Sequence, residues 1–327
     1  MAIDAVELVS VSKNFGSKLA VDEVTLSVPE GATFGILGPN GAGKTTILSL
    51  LVGRLQPTAG SIRVAGEPVG PNTVANRRRL GVVPESHPKG MWRWMSGADY
   101  LRHFAGLFGV DGSSSRIEEL SEYVGLGADI VKPFSTYSRG MLQRLSLARA
   151  LIHDPKILVL DEAISGLDPS GVKMFRDIVV DQKGKGRTIV ISSHLLSEIE
   201  KVCDRVAVIS RGRLLAERGI DSAVAAGAQT TRITLEVDVV PSSLLPALRE
   251  MSAVTSADLN GNTVVLEVVA DTDVRQEISK AVSLHECVLV GLKTETKTLE
   301  DYYIDITEEN VADIAGINRA DENKSDA

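Results

Sequence analysis

The stretch over residues 38–46, with the sequence GPNGAGKTT, constrains the fold of this chain more than any other segment. It contains the full pattern G-x-x-x-x-G-K-[ST], and it lies between the apolar runs of residues 33–37 and 47–51. This order predicts a strand, a glycine loop and a helix. Glycines let successive backbone N–H groups curl around an anion, and the positive end of the helix dipole points at that anion. The pattern therefore predicts a phosphate-binding loop on an α/β sheet.

The loop supplies a set of candidate nucleotide-binding residues: Gly38, Pro39, Asn40, Gly41, Ala42, Gly43, Lys44, Thr45 and Thr46. We expect Lys44 to reach the β- and γ-phosphates and the Thr45 hydroxyl to bind Mg²⁺. A glycine-rich segment can also be a simple turn, but the lysine, the hydroxyl and the strand–helix context favour phosphate binding. The loop alone indicates a nucleotide and leaves the kind of protein open.

Length and composition limit the remaining possibilities. A chain of 327 residues favours two domains over one, and a net charge of −8 provides no overall basic field for nucleic acid. The two cysteines form no CxxC pair, which is typical of reduced thiols in a cytosolic protein. The sequence shows neither a signal-peptide pattern nor a run of about 18 apolar residues. We expect a cytoplasmic protein that reaches the membrane through a partner.

The region around the loop predicts two additions to the α/β sheet. Apolar and polar residues alternate over residues 5–11 and 24–28, which predicts two antiparallel strands. Between them, Phe15 stands in a polar turn, where it either stacks on an adenine ring or packs beneath the turn. Residues 96–109 form an apolar helical stretch that predicts an inserted helical lobe.

A second informative stretch begins at Ser138, where a serine and a glycine at a predicted helix start make a capped anion site. The apolar run of residues 156–160 is typical of a strand buried on both faces, and Asp161 and Glu162 follow it. Acidic residues at the carboxyl end of a parallel strand lie where ligands bind. We expect Asp161 to hold Mg²⁺ and Glu162 to orient and deprotonate an attacking water. A solvated acidic turn is the alternative.

A further buried strand over residues 187–192 ends near His194. A lone histidine is more often structural than functional. Because His194 is predicted to lie at the same sheet edge as Asp161, we expect it to sense the γ-phosphate.

Over residues 5–218, the order and spacing of these segments resemble the nucleotide-binding domain of ABC transporters. The resemblance implies that residues 38–46 are the Walker A loop and residues 157–162 the Walker B strand with its catalytic carboxylate. It also implies that Phe15 stacks on adenine, that residues 166–168 are the D-loop with Asp168 at the nucleotide, and that His194 is the switch histidine. The family signature LSGGQ is here YSRGM, at residues 137–141, and Glu85 replaces the usual glutamine after the strand of residues 80–83. An acid at that position would lie near Mg²⁺ and alter its coordination or the coupling to a partner.

Both sequence variants are similar to those of exporter ATPases that serve separately encoded membrane subunits. The resemblance implies an ATPase that uses ATP and Mg²⁺ and works as a head-to-tail homodimer or heterodimer. ATP would lie between the phosphate loop of one copy and Ser138, Arg139 and Gly140 of the other. A transmembrane permease subunit would dock near residues 85–94 and the helical lobe, and no nucleic-acid partner is expected. The alternatives are a soluble mechanical or regulatory ATPase without a permease, or a nucleotide-binding module without turnover.

The C-terminal third predicts a separate domain. Residues 219–230 are suited to a linker, and residues 231–310 show a β-α-β-β-α-β order that indicates a small ferredoxin-like α+β domain without catalytic residues. Asn260-Gly261 predicts a hairpin, and the polar tail of residues 311–327 is expected to be disordered. The predicted fold class is thus an α/β P-loop ABC ATPase domain with an antiparallel β subdomain and a helical lobe, followed by the ferredoxin-like domain.

Overall fold

A computed structural model describes residues 4–70, 74–85, 94–111, 113–220, 230–269, 274–285, 287–295, 299–300, 302–304 and 306–307. The chain divides into two compact units, Met1–Gly219 and Ile220–Ala327. Several expectations concern residues outside this description: most of the docking segment (residues 86–93), most of the linker (residues 221–229) and the tail (residues 308–327). In the described part of the chain, no helix is both long and apolar enough to cross a membrane.

The first unit contains ten strands and seven α-helices among its described residues. In chain order these are β1 (Asp4–Phe15), β2 (Lys18–Pro29), β3 (Thr33–Leu37), α1 (Lys44–Leu51), β4 (Ala59–Val64), β5 (Glu67–Pro68), α2 (Val74–Arg79), β6 (Leu80–Val83), α3 (Gly97–Phe108), α4 (Ser113–Tyr123), α5 (Arg139–Leu151), β7 (Ile157–Asp161), α6 (Pro169–Gly184), β8 (Thr188–Ser193), α7 (Leu196–Glu200), β9 (Arg205–Ser210) and β10 (Arg213–Gly219). Two short 3₁₀ helices, Gly127–Val131 and Phe134–Thr136, lie between α4 and α5.

A six-stranded sheet forms the centre of the unit, in the order β10-β9-β3-β8-β7-β6. Its strands are parallel except for β10, which pairs with β9 in the antiparallel direction. Every residue of β3, β7 and β8 is buried, as expected for strands of a parallel sheet covered on both faces. The carboxyl ends of these three neighbouring strands meet at one edge, where ligands bind in such sheets.

The second sheet of this unit is antiparallel, in the order β2-β1-β4-β5. Alternate residues of its strands, such as Leu8 and Leu26, pack in one core cluster with Ile47 and Leu50 of α1 and with Phe34 of β3. The two sheets and the first helix therefore share one hydrophobic core. This packing fixes the phosphate loop between β3 and α1, because both of its ends are anchored in that core.

The pair β1–β2 is longer than the sequence pattern predicts. Its pairing continues to Phe15 and Lys18, which face each other across a two-residue turn at residues 16–17. Phe15 is therefore the last residue of a strand, and its predicted position within a polar turn is wrong. The reason is that backbone pairing continues past the point where the side chains stop alternating.

The helical lobe contains α3 and α4. The Ser96 hydroxyl accepts a hydrogen bond from the backbone N–H of Asp99 at the start of α3, and Gly109 ends this helix in the left-handed conformation. Tyr100, which is buried, packs edge-to-face on Phe104 and Phe134 at centroid distances of 4.9 Å. Tyr100 and Phe104 therefore pack within the lobe, as their helical spacing predicts.

The second unit contains β11 (Thr230–Val237), α8 (Leu244–Arg249), β12 (Val254–Asn260), β13 (Thr263–Val269), α9 (Arg275–Leu284) and β14 (Leu289–Glu295). Its sheet is antiparallel, in the order β12-β13-β11-β14. Leu235 and Leu266 of the sheet pack in one core with Leu248 of α8 and Ile278 of α9. The mixed α/β class with P-loop, antiparallel and ferredoxin-like parts is therefore confirmed.

The hairpin between β12 and β13 differs from its prediction by one residue. Asn260 pairs with Thr263, so the two central residues of the turn are Gly261, with a φ of 61°, and Asn262. Glycine suits this left-handed position because it has no Cβ.

Candidate active site

The phosphate loop opens into a cleft of about 780 Å³ at the carboxyl edge of the parallel sheet. Its lining comes from the ends of β1 and β2, from the loop and the start of α1, and from the segments that follow β6, β7 and β9. These residues are Phe15, Lys18, Leu19, Ala20, Asn40, Gly41, Ala42, Gly43, Lys44, Thr45, Thr46, Glu85, Glu162, Arg211 and Gly212.

Two glycines of the loop are required by their surroundings. A Cβ on Gly38 would lie 2.2 Å from the carbonyl oxygen of Ile209, and one on Gly43 would lie 2.7 Å from that of Ala20. Gly43 also has a φ of 109°, which disfavours any side chain. The backbone N–H of Gly212 donates to the Ala42 carbonyl oxygen at 2.8 Å. The loop is thus packed tightly against β9 and the turn after it.

Lys44 is buried at the base of the cleft. Its Nζ donates to the carbonyl oxygens of Gly38, at 2.7 Å, and Pro39, at 3.2 Å, so the side chain folds back over its own loop. The same Nζ lies 3.3 Å from Oε1 of Glu162. This places one cation between the phosphate loop and the carboxylate that follows β7.

Asp161, the last residue of β7, is held by two hydroxyl groups. Its Oδ1 accepts hydrogen bonds from Ser192 Oγ at 2.7 Å and from Thr45 Oγ1 at 3.2 Å. Burial raises the pKa of Asp161, and the two hydroxyl hydrogen bonds oppose this effect by stabilising the ionised form. A carboxylate is therefore placed next to the hydroxyl at the start of α1.

The donor set at Thr45 and Asp161 fits Mg²⁺. This ion usually takes one or two carboxylates together with phosphate oxygens and water. No group of three or more histidine, cysteine, aspartate or glutamate side chains that could hold a metal occurs among the described residues. Oxygen atoms of a phosphate ligand are further ligands that Mg²⁺ commonly takes beside such residues. Glu85 is exposed at the rim of the same cleft, after β6.

Glu162 is fixed in an unusual backbone conformation directly after Asp161. Its φ is 47°, in the left-handed region, and its N–H donates to Oγ of Ser192 at 3.0 Å. One carboxylate oxygen, Oε2, lies 2.7 Å from Nδ1 of His194. The other oxygen, Oε1, is buried and has no hydrogen-bond partner, although Lys44 Nζ lies within ion-pair distance of it. This oxygen is suited to accept a hydrogen bond from a water molecule.

Phe15 and His194 are more exposed than the carboxylates. Phe15 is 48% exposed in the cleft, and Lys13 Nζ lies 5.4 Å from its ring centroid. The His194 side chain is 47% exposed and follows β8 directly. Both rings can thus contact a bound molecule while their backbones remain in ordered segments.

The remaining predicted site residues do not line this cleft. Ser138 caps α5, where its hydroxyl accepts a hydrogen bond from the Met141 N–H at 3.2 Å, and Arg139 and Gly140 begin that helix. Asp168 caps α6 in the same way through the Gly171 N–H. A hydrogen bond from the Ser170 hydroxyl lowers the pKa of Asp168. The predicted site is therefore divided between two surfaces of one chain.

Sequence reasoning missed two residues that organise the turn of residues 161–163. Ser192 holds both Asp161 and the Glu162 N–H, and its signal was a polar residue at the end of a buried strand. Gln143, on α5, donates from Nε2 to the Ala163 carbonyl at 2.7 Å. Its signal was weak, since a glutamine within an amphipathic helix is usually exposed.

Comparison with known proteins identifies relatives along most of the chain. The ABC transporter family matches residues 21–165. The uncharacterized ABC transporter ATP-binding protein YhcH of Bacillus subtilis is 32% identical over 310 residues, which cover 94% of this chain and 97% of that protein. An uncharacterized ABC transporter ATP-binding protein of Nostoc is 43% identical over 211 residues, covering 63% of this chain and 61% of the relative.

A third relative is named for its transport role. The Nod factor export ATP-binding protein I of a Rhizobium strain is 40% identical over 217 residues, which cover 65% of this chain and 70% of that protein. Among solved structures, an ATP-binding subunit of an ABC transporter superimposes with a TM-score of 0.63 at 25% identity. That superposition covers 68% of this chain and 92% of the other.

Proposed function

Because this chain belongs to the family of ABC transporter ATP-binding proteins, whose members hydrolyse ATP, we propose that it is the ATPase subunit of an exporter. In this proposal it drives a separate membrane-spanning subunit through ATP-dependent dimerisation. The observation that carries the proposal is the position of the Glu162 carboxylate between His194 and Lys44 at the phosphate loop.

Four residues at the phosphate loop have distinct roles in the proposed ATP hydrolysis. Lys44 is placed to contact the β- and γ-phosphates, because its Nζ lies over the loop whose N–H groups would surround them. Glu162 is the proposed general base, and its Oε1, which accepts no hydrogen bond, is the atom that would take the proton of the attacking water. His194 holds the other carboxylate oxygen and orients the group. Phe15 offers its exposed ring to the adenine.

Thr45 and Asp161 are the residues that would hold Mg²⁺. When bound, Mg²⁺ neutralises charge on the phosphate oxygens, as in other phosphoryl-transfer sites. Ser192 keeps the Asp161 carboxylate oriented toward Thr45, because both hydroxyls donate to the same oxygen. The exposed Glu85 would lie at the edge of this site, where we propose that it reports nucleotide occupancy to the membrane partner.

The dimer explains why the predicted site is divided between two surfaces. Ser138, Arg139 and Gly140 lie at the N-terminus of α5, outside the cleft that holds the phosphate loop of the same chain. The N-terminus of a helix binds anions through its free N–H groups. We propose that this segment closes on the ATP held by a second copy, in a head-to-tail arrangement, and that Asp168 lies at the same interface.

Export is favoured over import or a purely soluble role by two observations. The Rhizobium relative is named as an export ATP-binding protein, and the YSRGM signature with Glu85 resembles the exporter branch. The membrane subunit would dock on the helical lobe and near Glu85. A soluble mechanical ATPase is the second candidate.

The test is capture of the partner. The tagged full-length chain, expressed in its own host, is purified from detergent-solubilised membranes with and without ATP, and the co-purifying proteins are identified by mass spectrometry. We expect a polytopic membrane protein in stoichiometric amount. The matched control is Lys44→Ala, which retains the surface but loses phosphate contacts. Recovery of the chain only from the soluble fraction, without a membrane protein, would favour the soluble ATPase.

A further inference from the structure

Helix α5 contacts the turn of residues 161–163, the proposed catalytic turn, through one face. Gln143 is 5% exposed, and its Nε2 donates to the carbonyl oxygen of Ala163 at 2.7 Å. Arg139 lies four residues earlier, on the same side of the helix, and its guanidinium rests against Gly166. A Cβ on Gly166 would lie 2.5 Å from Nη1 and 2.6 Å from Cζ of that arginine. Two residues of one helix face therefore contact the segment that follows Glu162.

This segment controls the direction of the Glu162 side chain. Glu162 has a φ of 47°, which an L-residue rarely adopts unless its neighbours fix it. On its N-terminal side, the Glu162 N–H is fixed by Ser192. On its C-terminal side, the Ala163 carbonyl is fixed by Gln143. The hydrogen bond that Gln143 donates to the Ala163 carbonyl is thus the counterpart of the one that Ser192 Oγ accepts from the Glu162 N–H.

The same helix begins at the segment that binds the second ATP. Ser138 caps α5, and Arg139 is both its first residue and the one that lies on Gly166. If phosphate binding shifts the N-terminus of α5, the shift would therefore also move the turn that carries Glu162. The distance along the helix is short, because residues 139 and 143 are one turn apart.

We propose that Gln143 and Arg139 are positioning residues that tie the catalytic Glu162 turn of one ATP site to the helix N-terminus that binds the ATP of the other site. This inference rests on the head-to-tail dimer of the proposed function. Its consequence is that each Glu162 is aligned best when α5 of the same chain is seated on the partner's nucleotide. Hydrolysis at the two sites is then cooperative.

The test compares Gln143→Leu with Gln182→Leu in the full chain. Both glutamines are almost fully buried, and Gln182 donates a comparable hydrogen bond, at 2.6 Å, to the Tyr123 hydroxyl away from the cleft. The measurements are kcat, KM and the Hill coefficient for ATP, together with the affinity for a fluorescent ATP analogue and the melting temperature. The control, Gln182→Leu, reports how much stability and activity are lost when a buried glutamine away from the cleft is replaced.

We expect Gln143→Leu to lower kcat by about 10- to 100-fold, the loss that small misplacements of catalytic groups cause. Its affinity for the fluorescent analogue should stay within about twofold, and its Hill coefficient should fall toward one, because the phosphate loop is untouched while the link between sites is lost. Gln182→Leu should keep kcat within about threefold of the wild type, since it lies outside the catalytic turn. Equal kcat values for the two variants would overturn the proposal.

Arg139→Ala keeps the test valid if Gln143→Leu does not fold, because Arg139 is exposed and its loss leaves the core intact. It should lower both kcat and the Hill coefficient, whereas unchanged values of both would contradict the proposed link. Failure of the dimer itself has a different signature. A wild-type chain that hydrolyses ATP without dimerising would contradict the proposed function, while an effect of Gln143→Leu on kcat would still be measurable.

Discussion

His194 Nδ1 lies 2.7 Å from Oε2 of Glu162, so the imidazole holds one oxygen of the carboxylate that we propose as general base. The two residues are 32 positions apart and follow neighbouring parallel strands, β8 and β7. Their contact leaves Oε1 as the oxygen that faces the phosphate loop. The pair therefore orients the base before any nucleotide contact is made.

The first prediction concerns this base. Glu162→Gln keeps the shape of the side chain but removes its ability to accept a proton, so kcat should fall by about 10² to 10⁴. ATP affinity should be retained, and an ATP-bound dimer should accumulate and be visible by size exclusion with light scattering. Glu118→Gln, an exposed substitution on α4, is the control and should behave like the wild type. Wild-type turnover in Glu162→Gln would remove Glu162 from this role.

The second prediction concerns Lys44. We propose that this buried cation contacts the phosphates of ATP. Lys44→Ala would then lose a charge-assisted hydrogen bond, so it should weaken ATP binding by about 10- to 100-fold. Isothermal titration measures the change directly. Lys156→Ala, at the opposite end of β7, removes an exposed lysine and should leave the affinity unchanged. The assignment of the phosphate loop fails if both variants bind ATP equally well.

The third prediction concerns Glu85, which is exposed at the rim of the cleft. Glu85→Gln should leave the basal ATPase rate within about threefold of wild type, because general-base chemistry is assigned to Glu162. The stimulation of that rate by the co-purified membrane partner in proteoliposomes should change. Glu67→Gln on the short strand β5 is the matched control. Abolished basal activity in Glu85→Gln would make Glu85 a catalytic group instead.

The fourth prediction concerns stability at alkaline pH. Burial raises the pKa of Tyr123 to about 12, and its hydroxyl contacts Asp181 and Gln182 of α6. A raised pKa in the folded state stabilises the fold below the unfolded value of about 10, and this contribution is lost as the pH rises to about 12. Tyr123→Phe lacks this dependence. The difference in unfolding free energy between the two proteins should therefore narrow by about 1 kcal/mol between pH 10 and 12, with allowance for solvent exposure.

Urea unfolding at several pH values measures that difference, with pH 8 as the reference. An equal slope of stability against pH in the two proteins would contradict the assignment of this effect to Tyr123.

The fifth prediction concerns the C-terminal unit. Each unit has a hydrophobic core of its own, and the second shows no phosphate loop among its described residues, so we propose a role in regulation or dimerisation. A chain ending at Gly219 should fold and bind ATP but show altered turnover, ATP-dependent dimerisation or capture of the membrane partner. Full-length behaviour in all three assays would identify the unit as a structural appendage.

Local sequence determined the parts of this protein that depend on neighbouring residues. The phosphate loop, the buried strand before Asp161 and the cap at Ser138 are each specified within about ten residues, because glycine geometry, apolar runs and capping act over that range. The ABC-type ATPase family and the mixed α/β class followed from the order of these segments, and relatives such as YhcH support the family assignment.

Tertiary structure decided the contacts that join distant residues. The sequence placed Asp161 and His194 at the same sheet edge, but it could not show that Ser192 binds both Asp161 and the Glu162 N–H. Nor could it show that Gln143 reaches across 20 positions to the Ala163 carbonyl. Periodicity reports which face of an element is buried, whereas the partner of a buried polar group depends on how the elements pack. The geometry of the catalytic turn was therefore fixed only when β7, β8 and α5 came together.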